Sequence, residues 1–269
     1  MDTETIRLGL GSIESKILSD LAGEGKNIFT VNEVVKIIGS KEKANKLVSK
    51  LTKKKWLERL NKGTYLILEL AAGSKPKWSE DSFYIASKLA KKYYIGYISM
   101  LNYYGWTEQV PTTVIIASPN RLKDKKILGM NYEFVSLSEK KFFGFEETNI
   151  RGHNVIVSSP EKTIVDCLDH PEYGGGINEV AKAMVNAKID WDKAIEYAKK
   201  MDNGAIFKRM GFLLEEMDIH VPKELIKSIH KKITKGYSPL YPGKTTEGKY
   251  NANWNLIINK NFSKERALA

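Results

Sequence analysis

Cysteine and proline are scarce in this chain, and their scarcity excludes several classes of protein. The 269 residues include one cysteine, Cys167, which excludes an internal disulfide and any cysteine-based zinc cluster. Its neighbours Ile164, Val165 and Leu168 predict a buried thiol. The single cysteine therefore indicates a protein of a reducing compartment. Only eight prolines and an apolar fraction of 42% indicate a packed core rather than a disordered chain.

Long apolar runs are also absent from the sequence. The most apolar stretches, such as residues 65–70 and 114–117, fall far short of the roughly 20 residues that a membrane-spanning helix needs. Residues 1–9 begin acidic and lack the apolar segment of a signal peptide. We therefore expect a cytoplasmic protein without a membrane partner. The length fits one large domain or two ordinary ones.

Positive charge is concentrated in two blocks. The formal net charge is +11, and a count of Asp, Glu, Lys and Arg gives +7 for residues 36–72 and +7 for residues 222–269. Residues 1–35 are acidic and residues 73–221 are neutral. A lysine excess that served solubility alone would be spread more evenly, so the clustering predicts an anionic partner. Nucleic acid fits better than a membrane surface, because no basic helix has a Trp/Leu face.

The first block belongs to a series of short elements. Residues 12–22 have apolar side chains at helical spacing, with Ser12 as the predicted N-cap. Ile28-Phe29 predicts a short strand, and Thr30 to Glu33 is a capping box that opens a second helix ending at Gly39. This order precedes the recognition helix in winged helix-turn-helix proteins.

A basic amphipathic helix and a hairpin complete the series. Ser40 is the predicted N-cap of a third helix, whose apolar face contains Ala44, Leu47, Val48 and Leu51. Strand-like runs flank the turn Asn61-Lys62-Gly63, as in a wing. Nine Lys or Arg residues and two Glu residues lie between Lys41 and Lys62, a balance typical of a phosphate-binding surface.

Residues 1–72 are thus predicted to form a winged helix-turn-helix that binds double-stranded DNA. The predicted DNA contacts are Lys41, Lys43, Asn45, Lys46, Ser49, Lys50, Lys53, Lys54, Lys55, Arg59 and Lys62. The residues expected in the major groove are Lys43, Asn45, Lys46, Ser49, Lys50 and Lys53, and those expected on phosphates are Lys54, Lys55, Arg59 and Lys62. The alternative is that the lysine face is only a solvated helix surface.

A small, polar, proline-containing linker at residues 71–77 separates a second, mixed domain, residues 75–269. The overall class is therefore α+β. Predicted helices occupy residues 81–92, 97–104, 160–168, 178–187, 191–200, 204–216 and 223–235. Predicted strand regions occupy residues 110–118, 126–137, 142–157 and 254–258.

Three patterns in the second domain suggest chemistry, and each has a plainer interpretation. Gly243-Lys244-Thr245 resembles the end of a P-loop, but the preceding glycine is wrongly spaced, so a turn is expected. The run 174–176 could bind phosphate through its amides, but it lacks adjacent cations. Asp166 and His170 lie one helical turn apart without a third metal ligand, so an Asp–His contact is expected. We predict no catalytic residue, no metal and no cofactor.

Aromatic and basic residues leave an RNA contact open. The aromatic set of the second domain suggests base stacking, although core packing is expected: Tyr93, Tyr94, Tyr97, Tyr103, Tyr104 and Trp106. Four C-terminal lysines are expected on or near one helix: Lys227, Lys231, Lys232 and Lys235. They either extend a DNA footprint or face RNA.

Two segments of the second domain resemble a known family. Residues 97–111, with the sequence YISMLNYYGWTEQVP, and residues 159–166, SPEKTIVD, followed by Pro171 and a glycine run, resemble the AbiEi-type antitoxin and transcriptional regulator family of type IV toxin-antitoxin systems. With the N-terminal winged helix and a similar C-terminal end, the resemblance covers most of the chain. Trp106 and Cys167 depart from the family pattern, where leucine and another aliphatic residue are usual.

The resemblance implies an N-terminal domain that binds inverted repeats in its own promoter. It also implies a C-terminal domain that counteracts a nucleotidyltransferase-like toxin without a stable complex. The matching residues are structural and none is catalytic: Gly105, Thr107, Glu108, Gln109, Pro160, Glu161, Thr163 and Asp166. Two alternatives stay open, a nucleic-acid-directed enzyme with Asp166 and His170 near its centre, and a ligand-sensing regulator of unrelated genes.

Overall fold

The structure, a computed structural model, describes residues 6–73, 81–243, 247–260 and 262–268. Internal packing separates two compact units. The first comprises Met1–Lys91, Asp124–Tyr132 and Asn149–Asn154. The second comprises Lys92–Lys123, Glu133–Thr148 and Val155–Ala269. Part of the predicted linker lies outside the described residues, so the proposed domain boundary at residues 72–75 remains a prediction.

The first unit begins with the elements of a winged helix. They are α1 (Ser12–Gly23), β1 (Ile28–Thr30), α2 (Val31–Ile38), α3 (Lys41–Lys53), β2 (Leu57–Asn61) and β3 (Thr64–Ile67). The strands form an antiparallel sheet of order β1-β3-β2, with Phe29 opposite Tyr65 and Glu58 opposite Leu66. The predicted element order is confirmed.

The sequence sets the helix ends through capping. Ser40 Oγ accepts a hydrogen bond from the Lys43 amide at 3.4 Å, as predicted for the N-cap of α3. Gly39, at the end of α2, has φ +77°, a conformation that lets α3 follow after a single turn. The predicted cap of α1 was wrong by one position. Gly11 is the N-cap, and its amide donates to the Glu14 carboxylate at 2.8 Å.

One apolar core holds α1, α2, α3 and the small sheet together. α3 contributes Ala44, Val48 and Leu51, all at most 1% exposed, and Leu47 packs at the edge of the core. The apolar face predicted for α3 is therefore confirmed. Because this face is buried, the lysines on the remaining surface of α3 point to solvent.

The rest of the chain is mixed. Its helices are α4 (Ser82–Ser87), α5 (Ile98–Tyr103), α6 (Pro160–Asp169), α7 (Ile177–Asn186), α8 (Trp191–Met201), α9 (Gly204–Glu216), α10 (Lys223–His230) and α11 (Lys264–Leu268). Its strands are β4 (Tyr94–Ile95), β5 (Thr113–Ser118), β6 (Lys125–Ile127), β7 (Met130–Ser136), β8 (Phe145–Ile150), β9 (His153–Ser158), β10 (Ser238–Pro239), β11 (Lys249–Asn251) and β12 (Leu256–Ile258).

These strands form two further sheets. A six-stranded mixed sheet has the order β6-β7-β5-β4-β9-β8, in which β4 pairs antiparallel with β5 and parallel with β9. A three-stranded sheet has the order β10-β12-β11. The predicted strand regions 126–137 and 142–157 are each a hairpin. Their turns, Leu128-Gly129 and Arg151-Gly152, have positive φ at both residues, as type I′ turns require.

Several predicted bounds were wrong. The helix expected at 81–92 is the six-residue α4, and the helix expected at 223–235 ends at His230. Of the four C-terminal lysines, only Lys227 therefore lies within α10. Strands β10 and β11 were not predicted, because each has only two or three residues and lacks an apolar alternation.

A second apolar core surrounds α6 and α9. Buried Arg209 of α9 crosses it and donates to the carbonyl oxygens of Leu240 at 3.0 Å, Leu168 at 2.7 Å and Pro239 at 3.0 Å. The same helix approaches a buried tryptophan. A Cβ atom placed on Gly211 would lie 1.9 Å from Cζ3 of Trp254. α9 therefore accepts only glycine at this contact.

We expect Gly211→Ala to lower the free energy of unfolding by about 3 kcal/mol, because overpacking displaces a rigid ring. Chemical denaturation in urea, followed by circular dichroism, measures the change. Gly243→Ala is the matched control, since a Cβ atom placed on Gly243 would have no neighbour within 4 Å among the residues that the structure describes. A Gly211→Ala midpoint equal to that of the wild type would show that α9 and Trp254 separate easily.

Candidate nucleic-acid interface

Helix α3 presents most of the predicted DNA-contacting residues to solvent. The exposed members of the predicted set are Lys41, Lys43, Asn45, Lys46, Ser49, Lys50, Lys53, Arg59 and Lys62. Lys54 and Lys55 are half-buried. We call the exposed α3 residues of this set the lysine face. The structure thus places the exposed members of the set on one helix and one hairpin, an arrangement that suits a groove-reading unit.

The lysines of α3 differ in their ion-pair partners. Lys46 Nζ lies 2.7 Å from Glu42, and both side chains are about three-quarters exposed, so this pair adds little to stability. Lys50 and Lys54 instead meet a buried carboxylate. Glu14 of α1 lies 2.9 Å from Lys50 Nζ and 2.6 Å from Lys54 Nζ.

Glu14 anchors α3 to α1. Its side chain is 4% exposed, yet the hydrogen bond from Lys54, the Gly11 amide and the ammonium of Lys50 lower its pKa to about 2. Lys54 also donates to the Gly9 carbonyl oxygen at 2.8 Å. Sequence reasoning assigned Lys54 to phosphate. The structure shows its ammonium in an internal role, so a phosphate contact would compete with Glu14.

The residues before α1 form a strap across the junction of α3 and the wing. Arg7 donates to the carbonyl oxygens of Lys55 at 3.2 Å and Leu68 at 3.0 Å, and its guanidinium stacks 4.4 Å from the Trp56 ring. Trp56 Nε1 donates to the Leu8 carbonyl oxygen at 2.7 Å. These contacts fix where the wing leaves α3. Sequence reasoning missed Arg7 and Glu14, since the partners of Arg7 and the lysine partners of Glu14 come from distant positions.

Lys55 occupies a conformation that favours glycine. Its φ is +62°, its amide bonds to the Thr52 carbonyl, and the next amide, of Trp56, bonds to the Leu51 carbonyl at 3.0 Å. This pair of bonds is a Schellman motif, in which the left-handed position is usually glycine. A lysine here costs stability and adds a cation between α3 and the β2–β3 hairpin.

The wing is fixed on one side and free at its tip. Asn61 Nδ2 donates to the carbonyl oxygens of Lys88 at 2.9 Å and Leu89 at 3.0 Å. Lys125 Nζ donates to the Leu60 carbonyl oxygen at 2.5 Å and to Asn61 Oδ1. Lys62 follows at the turn and is exposed. Lys125 therefore adds a half-buried cation beside the wing that sequence order alone did not reveal.

Asp166, the α6 residue considered for catalysis, belongs to a buried ion pair. Lys162 Nζ contacts Asp166 Oδ1 and lies 3.0 Å from the Tyr94 hydroxyl, which in turn donates to Asp166 Oδ2 at 2.8 Å. All three side chains are fully buried. Burial raises the pKa of Asp166 above its usual range. Both carboxylate oxygens are occupied, so the group holds α6 in the core.

The expected Asp166–His170 contact is made through the backbone, where the His170 amide donates to the Asp166 carbonyl oxygen at 2.9 Å, and the two side chains have other partners. α6 ends at Asp169, and His170 leaves the helical path with φ −131°. Its Nδ1 lies 3.0 Å from Glu172 and its Nε2 lies 3.6 Å from Asp169. The hydrogen bond to Glu172 raises the pKa of His170. Helical spacing failed as a guide, because the second residue lies beyond the helix.

The glycine run and most of the aromatic set have structural roles. Residues 174–176 connect α6 to α7, with Gly175 against Ile98. The predicted core packing is confirmed for Tyr93, Tyr94, Tyr97 and Trp106, which are all buried, while Tyr103 is exposed. Lys244 and Thr245 lie outside the described residues. Among those that are described, no cluster of three His, Cys, Asp or Glu residues suits a metal ion.

No described helix has both the length and the apolar character to cross a bilayer.

Comparison with known proteins gives a family match for part of the N-terminal unit. Residues 16–68, from α1 to the end of β3, match the family model described as transcriptional regulator, AbiEi antitoxin. This part of the chain is similar to AbiEi-type transcriptional regulators. The resemblance is thereby confirmed for the winged helix, together with the mixed α/β class of the chain.

A crystal structure shows the same fold over nearly the whole chain. The RV2827C protein from Mycobacterium tuberculosis matches 99% of this chain and 97% of its own, with a TM-score of 0.65 and 12% sequence identity. At this identity the likeness shows the fold alone. No curated protein matches the chain. The resemblance of residues 97–111 and 159–166 to the AbiEi family remains a prediction.

Removing the Glu14 charge tests the anchor of the first unit. We expect Glu14→Gln to lower its stability at pH 7 by about 1–3 kcal/mol, since Lys50 and Lys54 lose a charged partner. The lowered pKa means that the Glu14 contribution is present above pH 4.5 and is lost as pH falls towards about 2. Denaturation at both pH values measures the difference between variant and wild type.

The matched control is Glu42→Gln, which removes the exposed partner of Lys46. We expect it to cost less than about 0.5 kcal/mol. A Glu14→Gln deficit that stayed constant from pH 7 to pH 2 would contradict the ionic origin of the anchor.

Lys55→Gly separates stability from binding. Relief of the left-handed strain should raise stability by about 0.5–1 kcal/mol, while loss of the cation should weaken DNA binding. Urea denaturation and fluorescence anisotropy on duplex DNA measure the two effects. Lys55→Asn, which also tolerates this conformation without a charge, should bind DNA as weakly as Lys55→Gly. A variant that binds DNA as tightly as the wild type would remove Lys55 from the interface.

Proposed function

We propose that the protein is a DNA-binding autorepressor and the antitoxin of a type IV toxin-antitoxin system. The observation that carries the proposal is the AbiEi family match over residues 16–68, whose elements expose the lysine face beside a hairpin. Its DNA partner is a double-stranded promoter with inverted repeats. The family resemblance supports this part of the proposal.

The lysine face suits the major groove. A helix fits this groove, and amide, hydroxyl and ammonium groups reach base edges there. Asn45 and Lys46 lie on the exposed side of α3, away from Val48 in the core. Asn45 matches adenine, to which an amide can form two hydrogen bonds, and Lys46 matches guanine. These two residues carry the proposed base preference.

The wing and the helix ends suit the phosphates. Lys41 at the start of α3, and Arg59 and Lys62 on the hairpin, have exposed cations. Lys55 adds a cation at the junction. Lys54 and Lys50 share the Glu14 carboxylate, so we assign them a smaller part of the phosphate binding.

The antitoxin part of the proposal concerns the C-terminal domain. Resemblance implies that it counteracts a nucleotidyltransferase-like toxin, with no stable complex between the two proteins. The matching segments form α5 and α6, whose side chains pack in the second core. Their ionisable groups hold the fold together, which supports a non-enzymatic role without a cofactor.

The operon role is tested with the neighbouring gene. We expect a nucleotidyltransferase-like toxin in the adjacent reading frame, and we expect co-expression of this protein to restore growth. Restored growth with no co-purification would support neutralisation without a stable complex. Continued growth arrest at equal expression would contradict the antitoxin role.

Salt dependence tests the wing. Each phosphate contact contributes about −0.9 to the slope of log affinity against log salt concentration, so Lys62→Ala should reduce the slope by about one. Its preference among operator sequences should be unchanged. Anisotropy titrations at several salt concentrations measure the slope. Lys16→Ala, an exposed lysine of α1, is the control and should leave the slope as it is. An unchanged slope for Lys62→Ala would remove the wing tip from the interface.

Base preference tests the helix. Asn45→Ala or Lys46→Ala should reduce discrimination at one base pair by about 1–3 kcal/mol, because direct hydrogen bonds to base edges are lost. Affinities for single-base operator variants measure the change. Equal losses on every sequence would place these residues on phosphates.

A further inference from the structure

Two exposed tyrosines contact each other edge to face in the second unit. Tyr237 is 45% exposed and Tyr250 is 67% exposed. Their ring centroids are 4.9 Å apart and the ring planes cross at 87°, an edge-to-face contact. Such a contact covers one of the four ring faces. The high exposure of both rings shows that aromatic surface remains open to solvent.

Both rings stand on a fixed scaffold. Tyr237 directly precedes β10, and Tyr250 is the central residue of β11, opposite Ile257 of β12. Buried Lys208 donates to the Gly236 carbonyl oxygen at 2.8 Å and to Ser238 Oγ at 3.0 Å. The backbone on either side of Tyr237 is therefore held in place. A rigid aromatic surface loses little entropy when a ligand stacks on it.

The chain beside Tyr237 is basic. Residues 227–243 contain no Asp or Glu. They contain four exposed lysines, Lys227, Lys231, Lys232 and Lys235. Three of these follow the end of α10 and lead directly to the tyrosine. Cations close in sequence to open aromatic faces match the two parts of a nucleotide, its phosphate and its base.

Whether a nucleic acid is paired or unpaired decides whether its bases can stack on the two tyrosines. In a duplex the base faces are stacked on each other, so a tyrosine ring cannot reach them. Unpaired bases have open faces, and aromatic stacking accepts any of them. An acidic peptide would satisfy the lysines but would leave the tyrosine faces unused.

We propose that Tyr237, Tyr250 and the lysines of residues 227–235 bind unpaired nucleotides, with single-stranded RNA and single-stranded DNA as the two sources. The residues are distinct from the lysine face and the wing. The proposal is therefore independent of operator binding. It gives a residue basis to the RNA contact that the sequence left open.

The test uses the full chain and fluorescein-labelled 12-nucleotide RNA and DNA of the same unstructured sequence. Anisotropy measures affinity for the wild type and for Tyr237→Ala and Tyr250→Ala. We expect each alanine variant to lose at least about fivefold in affinity for the single strand. Tyr237→Phe and Tyr250→Phe keep the ring face and should bind as the wild type does.

Matched controls separate stacking from other effects. Tyr103→Ala removes another exposed tyrosine of the second unit and should leave affinity unchanged. Replacing Lys232 and Lys235 with glutamine should reduce the salt slope by about 0.7 per lost phosphate contact. Circular dichroism of every variant confirms the fold. Binding of the operator duplex should be the same for the tyrosine variants and the wild type.

The outcomes distinguish the two proposals. Equal binding of RNA and DNA supports recognition by stacking, and tighter RNA binding supports an added contact to the 2′-hydroxyl. Alanine variants that bind both single strands as tightly as the wild type would overturn the inference. Single-strand affinity that depends only on the lysine face of α3 would also overturn it. Failure of the wild type to bind its operator would instead contradict the proposed function alone.

Discussion

The close packing of α3 on the first core constrains everything that the N-terminal unit presents to solvent. Ala44, Val48 and Leu51 are almost completely buried, and together they fix the rotation of the helix about its axis. Successive side chains turn by 100°, so one buried face determines which residues point outward. A rotated α3 would bury lysine or expose leucine. The hydrophobic core thus orients the lysine face.

Some of the charges around this core lower the stability of the unit, and others raise it. Nine cations between residues 41 and 62 repel one another, and a buried carboxylate, Glu14, offsets part of this repulsion. Lys55 stands where glycine would fit better, and Arg7 holds its carbonyl group. These features are expected of a surface shaped by an anionic partner. They also explain why the lysines of the unit are not equivalent.

Local patterns predicted the N-terminal unit well. Capping residues, apolar spacing and the Asn61-Lys62-Gly63 turn each depend on a few adjacent residues, and they led to the correct element order. The internal role of Lys54 was not predictable, because its partner lies 40 positions earlier and both belong to different helices. Long-range pairs of this kind leave no periodic signal. The sequence therefore predicted the candidate DNA contacts as one set. It did not show that Glu14 engages Lys50 and Lys54 among them.

The rest of the chain was harder to predict for physical reasons. Two of its hairpin turns use Leu128 and Arg151 where asparagine or aspartate is usual, so the turn signal was weak. His170 lies just beyond a helix end, where helical spacing no longer places side chains on one face. The tyrosine pair joins residues 237 and 250 through two very short strands. Tertiary packing decides each of these features.

The account rests on direct contact between the lysine face and duplex DNA. Lysine acetylation followed by mass spectrometry measures this contact residue by residue, with and without the operator duplex. Slower modification of Lys43, Lys46, Lys53 and Lys62 in the complex, with no change at Lys16 of α1, is the result that the account predicts. Equal modification of all five lysines in a complex shown to be saturated would contradict it.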